Sequence, residues 1–184
     1  MSKMQHIDPA SLAHLPSRIA YDRAFVGFNE SDAAALHAAK PFIAPLIPII
    51  VDLVYAKLLS FDITAKSFLP KNTGYEGLLP TDVTELSQTH PQILSRKGFL
   101  TGYLGKLVTA DYSDEKTWEY FDKVGIMHTG VAGFAHRKKK APLRVEYQHM
   151  ALLLGESTLF ATNRKRRSAD LHRICCGYCA FRCR

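Results

Sequence analysis

Thr117-Trp-Glu-Tyr-Phe-Asp-Lys-Val-Gly-Ile-Met-His128-Thr-Gly130 reads as one helix that carries a histidine on its apolar side. Trp118, Phe121, Val124, Gly125 and His128 recur every three or four residues, while Glu119, Asp122 and Lys123 fall off that stripe. The imidazole is therefore expected among hydrophobes, where a neutral histidine either bonds a backbone group inside a core or coordinates a metal. Gly125, one turn earlier, removes a side chain where something flat and bulky would approach, although glycine costs about 1 kcal/mol relative to alanine inside a helix. A porphyrin would use that space. Taken alone, the stripe leaves both readings open, and the core histidine is the commoner of the two.

The rest of the chain sets bounds on that histidine. Its 184 residues suit a single domain that buries one core without disulfides or structural metal. Hydrophobic residues make up 47% and charged residues 22%, which excludes wholesale disorder. The apolar stretch from Phe42 to Tyr55 is interrupted by Pro45, Pro48 and Asp52 and is shorter than a bilayer needs, so a core segment and no membrane role are expected. The first residues show no secretory pattern, and a cytoplasmic protein is expected. The net charge of +7 is unevenly placed: from Glu156 onward seven basic residues face two acidic ones, leaving a nearly neutral domain before them. That distribution disfavours a nucleic-acid surface on the domain. Cys175, Cys176, Cys179 and Cys183 all lie in the same tail, consistent with a reducing compartment.

Helical signals run through the chain. Asp8-Pro9 opens an N-terminal helical extension towards Gly27, and Asn29 to Asp32 offers caps for a helix expected to break or kink near Pro41. From Phe42 to Ser60, Ile43, Leu46, Ile47, Ile50, Leu53, Val54 and Leu58 cover so much of the circumference that a mostly buried helix is expected, with Tyr55 inside it. Residues 60–80 read as a long connection with one short helical turn at Thr64 to Phe68, followed by a brief helix at Thr81 to Leu86. Pro91 opens a helix through Leu94, Phe99, Leu100, Tyr103, Leu104 and Leu107, and residues 112–116 cap the histidine helix. His136 to Pro142 is a basic turn, and a last helix is expected over Leu143 to Gly155. No alternating pattern bounded by hairpin turns occurs, so the fold class is all-α. The expected organisation is a domain over residues 1–155 and a basic, cysteine-rich, disordered tail over 156–184.

Most enzyme templates fail. There is no Gly-rich phosphate loop, no His-Glu-x-x-His and no Gly-x-Ser-x-Gly, and no catalytic residue is assigned. His172 with the four cysteines has ligand-like spacing at Cys176-x-x-Cys179, yet lacks the two separated ligand pairs of a zinc site. Arg164-Lys-Arg-Arg167 reads first as solvated chain. Across from His128, Tyr55 is the best candidate to face a cofactor: a phenol buried on an apolar helix needs a partner, and a dioxygen ligand would accept its hydrogen bond. A backbone carbonyl would serve equally well. Phe99 suits a porphyrin edge and Ser95, one turn earlier, a weaker donor; both also read as ordinary helix packing.

The order of elements resembles the globin-sensor domains and, within them, the protoglobins, haem globins with an extra N-terminal helix. The likeness spans roughly Ile19 to Gly155. It rests on Trp118 to Gly130, on Arg96-Lys-Gly-Phe-Leu-Thr-Gly-Tyr-Leu-Gly-Lys-Leu-Val-Thr109, on Val51-Asp-Leu-Val-Tyr-Ala-Lys-Leu-Leu59 and on Pro142-Leu-Arg-Val-Glu-Tyr147. The resemblance implies a globin-like helical fold, haem b (iron protoporphyrin IX) as cofactor, His128 as the proximal iron ligand, Tyr55 over the distal face, and distal positions at Ser95 and Phe99. It implies reversible binding of dioxygen, CO or NO by a single-domain oxygen binder or gas sensor, with a homodimer as the family's assembly. The sequence departs from the family after Gly155, where an apolar closing helix is expected and a polar, cysteine-rich segment stands instead; the expectation is a final helix truncated or replaced, as a misassigned splice junction or frameshift would leave it. Two other functions compete: a haem enzyme on the same scaffold, acting as a nitric oxide dioxygenase or weak peroxidase, and a cofactor-free helical interaction module with a basic tail.

Overall fold

The helices form where the local signals ask for them. In the computed structural model residues 4–71, 74–135, 138 and 142–165 are described, the side chains of 157–165 excepted. Asp8 accepts the Ala10 amide at 2.9 Å and starts a 3-10 turn, Pro9–Ala13, that leads into α1, Leu15–Val26. Gly27 ends α1 in the left-handed conformation at φ 69°, where a Cβ would be strained. Asn29 then builds a capping box, accepting the Ser31 amide while Asp32 accepts the Asn29 amide, and α2 runs over Glu30–Ile43. A 3-10 turn, Ala44–Leu46, joins α2 to α3, Ile47–Leu59. Short α4, Asp62–Ala65, passes into a 3-10 turn over Lys66–Phe68, and a further 3-10 turn covers Val83–Glu85. Then come α5, Pro91–Leu107, α6, Glu115–Met127, and α7, Tyr147–Lys165. Among the described residues there is no strand, only one isolated antiparallel bridge between Thr129 and Arg144, and the class is all-α.

Two apolar clusters hold these helices. Ile19 of α1, Leu36 of α2, Ala110, Tyr112, and Trp118 and Phe121 of α6 form the first. Trp118 is fixed there by its indole N–H, which donates to the Tyr112 carbonyl at 2.9 Å, and by rings of Phe28 and Tyr112 within 5.8 Å. Arg18 of α1 ties the same face to α6 through Asp122 at 2.9 Å, both side chains largely buried, and its other amine donates to the Leu12 carbonyl. Ile47, Val51 and Tyr55 of α3 with Ile93 of α5 form the second cluster, capped by Phe68 and Leu86. Helix α5 serves both, with Leu100 and Leu104 against the second cluster and Tyr103 and Leu107 against the first.

Four expectations are corrected. Pro41 does not break α2: it falls in the last turn, where the one lost amide bond is tolerated, and the change of helix type comes at Ala44–Leu46. As a result the helical backbone continues for 30 residues from Glu30 to Leu59, long and apolar enough by length and composition to cross a membrane, where the sequence reading stopped short of that length. In this fold the run instead supplies Leu36 to one cluster and Ile47, Val51 and Tyr55 to the other. Its α3 part is not mostly buried, because packing against α5 uses one face and leaves Ile49 and Leu53 exposed. The last helix begins at Tyr147 instead of Leu143, since the backbone of Leu143 and Val145 is engaged by residues after α6, and it runs past Gly155 to Lys165. Most of the basic turn at 136–141, and residues 166–184 with their cysteines and His172, lie outside the described residues.

Candidate functional site

Helix α6 places the histidine by the way it ends. Asp114 caps its start, accepting the Lys116 amide at 3.0 Å, and the buried Trp118 and Phe121 fix its rotation, so Val124, Gly125 and His128 continue the same stripe in half-buried positions. At the other end the last turn tightens. The His128 amide donates to Gly125 O at 3.1 Å, one residue short of the α-helical partner, and the Val124 carbonyl is taken up by the His128 ring, whose Nδ1 lies 2.8 Å away. A carbonyl only accepts, so Nδ1 carries the proton and the lone pair of the neutral ring sits on Nε2. Such an Nδ1–H bond to a backbone carbonyl is the arrangement that orients a metal-ligating histidine and raises its basicity.

On α3, Tyr55 is 7% exposed, with its ring 5.6 Å from Phe68 and packed against Val51 and Ile93. Burial pushes its phenol up to about 12, against the opposing pull of the Arg96 guanidinium. Among the described residues its hydroxyl makes no hydrogen bond, which separates it from Tyr112, whose hydroxyl donates to the Leu107 carbonyl. Polar side chains of α5 brace this region. Gln92, 0% exposed, donates to Phe68 O at 2.6 Å; Arg96, one turn on, donates to Pro70 O at 2.7 Å with its guanidinium 5.3 Å from the Phe68 ring centre. Lys97 reaches Asp52 of α3 at 2.8 Å, and Gln88 donates to the Asp52 carbonyl.

The structure thus brings Tyr55 together with α5 and Phe68, and puts His128 and Gly125 at the end of the helix that carries the first cluster. Ser95 is half-buried on α5. Phe99 is 59% exposed and belongs to neither cluster. The small cleft between α1 and α6, lined by Arg18, Ile19, Trp118 and Asp122 among others, contains neither His128 nor Tyr55. Among the described residues no group of three or more His, Cys, Asp or Glu is placed to hold a bare metal ion. Sequence reading missed Gln92 and Arg96 as braces of the Tyr55 region; their signal was two polar residues four apart on a helix whose neighbour Ile93 is core.

A protoglobin family model matches residues 15–164. The chain belongs to the protoglobin family. This protoglobin is accordingly a globin-type haem domain that binds gas, and the match carries the likeness beyond Gly155 almost to the end of α7. Among curated proteins, none matches the chain. The donor set fits an axial haem ligand. One imidazole with its lone pair on Nε2 suffices where a macrocycle supplies the remaining nitrogens.

Proposed function

We propose that this protoglobin is a haem b protein that takes up dioxygen reversibly, and CO or NO at the same position, with His128 as axial ligand and Tyr55 as distal hydrogen-bond donor. The observation that carries this reading is the 2.8 Å bond from His128 Nδ1 to Val124 O at the end of an amphipathic helix, within the stretch that matches the family. Haem, when bound, supplies an iron atom with an open sixth position. His128 orients through its Nδ1–H bond and offers Nε2, and Gly125 keeps the adjacent turn free of a side chain. Tyr55 is protonated at neutral pH, as any phenol is, and burial extends that state well into the alkaline range, so its hydroxyl is there to donate to the gas. Ser95 adds a weaker donor, Phe99 supplies apolar surface, and the cytosol, with its reducing conditions, is the compartment in which this chain works.

The test is a gas titration of the haem-reconstituted chain followed by absorption. Shifts of the Soret band with dioxygen and with CO, reversed when the gas is removed, support the reading; a haem complex that takes up neither contradicts it. Sustained consumption of nitric oxide with a reductase present would move the assignment to the enzyme on the same scaffold.

A further inference from the structure

The end of α6 is held by more than its own turn. Of the carbonyls that a helix C-terminus leaves without intrahelical partners, Val124 O is taken by the His128 ring, Gly125 O by the His128 amide and Ile126 O by the Thr129 amide and hydroxyl. The carbonyl of His128 itself is different. It accepts the Val145 amide at 2.9 Å, from a segment 17 residues on, and the neighbouring Gly130 amide donates to Leu143 O at 2.9 Å. These two bonds make the isolated antiparallel bridge around Thr129 and Arg144. Gly130 permits it by turning at φ 88°, where a side chain would be strained although a Cβ would meet only ordinary contacts near 3.9 Å.

We infer that the segment Leu143–Val145 is part of the proximal site, with the Val145 N–H as a positioning group that sets the height and rotation of the His128 imidazole. The inference rests on His128 being the haem ligand. The imidazole hangs from a C-capping residue in the last, tightened turn of α6; that residue's amide still bonds Gly125 O, but its carbonyl has no partner within the helix. The Val145 amide is the bond from another part of the chain that pins that residue's carbonyl. Two residues later α7 begins, and it runs to α3, where Glu156 lies 3.3 Å from Lys57, two residues past Tyr55. That pair is about half exposed and contributes little on its own, so the bridge is the stronger of the two ties. The segment that leads into α7 is therefore hydrogen-bonded to the histidine's own backbone, and a displacement of the imidazole is passed towards α7 through the Val145 bond.

The experiment reads the iron–histidine stretching band of the ferrous, gas-free haem protein by resonance Raman, together with the CO association rate. Val145→Pro removes the amide donor, and Gly130→Ala strains the turn from the other strand of the bridge. Both should shift the band and change the rate by roughly threefold to tenfold, the ratio one net hydrogen bond supports. Val145→Ala keeps the amide and should restore the wild-type band. Should Val145→Pro not fold, Gly130→Ala carries the same test, joined by slow amide exchange at Val145 in the haem-free protein. A wild-type band left in place by the bridge variants, or a rapidly exchanging Val145 amide, overturns the inference while the haem reading stands. A wild-type chain with no iron–histidine band overturns the haem reading and the inference with it.

Discussion

Tyr55→Phe separates a ligand-facing tyrosine from a packing one, because the two roles give changes in different quantities. The ring is 7% exposed and packed against Phe68, Val51 and Ile93, contacts that phenylalanine preserves. The hydroxyl makes no hydrogen bond among the described residues, so its removal breaks no protein–protein bond. In the haem-free protein the substitution should change stability by no more than about 0.5 kcal/mol, the scale of a replacement that touches no specific feature. With haem and dioxygen bound, the same hydroxyl is the proposed donor, and its loss should cost about 1 to 1.5 kcal/mol, accelerating oxygen dissociation roughly fivefold to tenfold. Urea unfolding of the haem-free protein and stopped-flow oxygen release measure the two numbers. A core tyrosine bonded to a carbonyl would give the reverse, a stability loss of about 1 kcal/mol with an unchanged release rate, and that result would refute the assignment.

The Arg18–Asp122 pair should be needed for the α1 to α6 contact. Arg18→Ala strands a largely buried carboxylate and should cost about 1 to 2 kcal/mol in chemical denaturation, part of which the double variant with Asp122→Ala recovers; a loss in the double variant equal to the sum of the Arg18→Ala and Asp122→Ala losses would show that the pair is not coupled. Gly133→Ala places a Cβ on the Lys123 carbonyl of α6 and should destabilise the chain by about 1 to 3 kcal/mol, and a neutral result would mean that the loop does not pack on α6 as described. Alkaline unfolding follows from Tyr55, whose phenol is raised from 10.0 to about 12. Between those values the unfolded chain releases a proton that the folded chain keeps, so the contribution is complete below pH 10 and about 3 kcal/mol is lost as pH rises through 12. Urea midpoints across that window should fall less steeply in Tyr55→Phe than in the parent chain.

The sequence made helix identity legible where polar and apolar residues separate cleanly. Trp118, Phe121 and His128 lie along the expected stripe, and Asp114, Asn29 and Pro91 stand at helix starts as their chemistry requires. It failed where one residue type answers to two forces. Pro41 signals a break or a kink, yet α2 runs through it without a break: a proline in a last turn forfeits one bond while α2 keeps its capping box and its Leu36 contact. In α3 composition alone overstated burial, since Leu53 and Ile49 are as apolar as Val51 yet point away from α5. The start of α7 was illegible for a deeper reason: Leu143 and Val145 have the right periodicity for a helix, and what holds them out of it is backbone bonding to His128 and Gly130, which has no side-chain signature. For the same reason the partner of the His128 ring, a carbonyl on its own helix, could not be read from residue types.

Haem binding turns on His128, and the most direct measurement is the absorption spectrum of His128→Gly reconstituted with haem, with and without added imidazole. Loss of the gas-responsive Soret band in the variant, and its return when imidazole fills the space, is the predicted result. A band with wild-type position, intensity and CO response in His128→Gly without imidazole would contradict the claim that this histidine holds the iron.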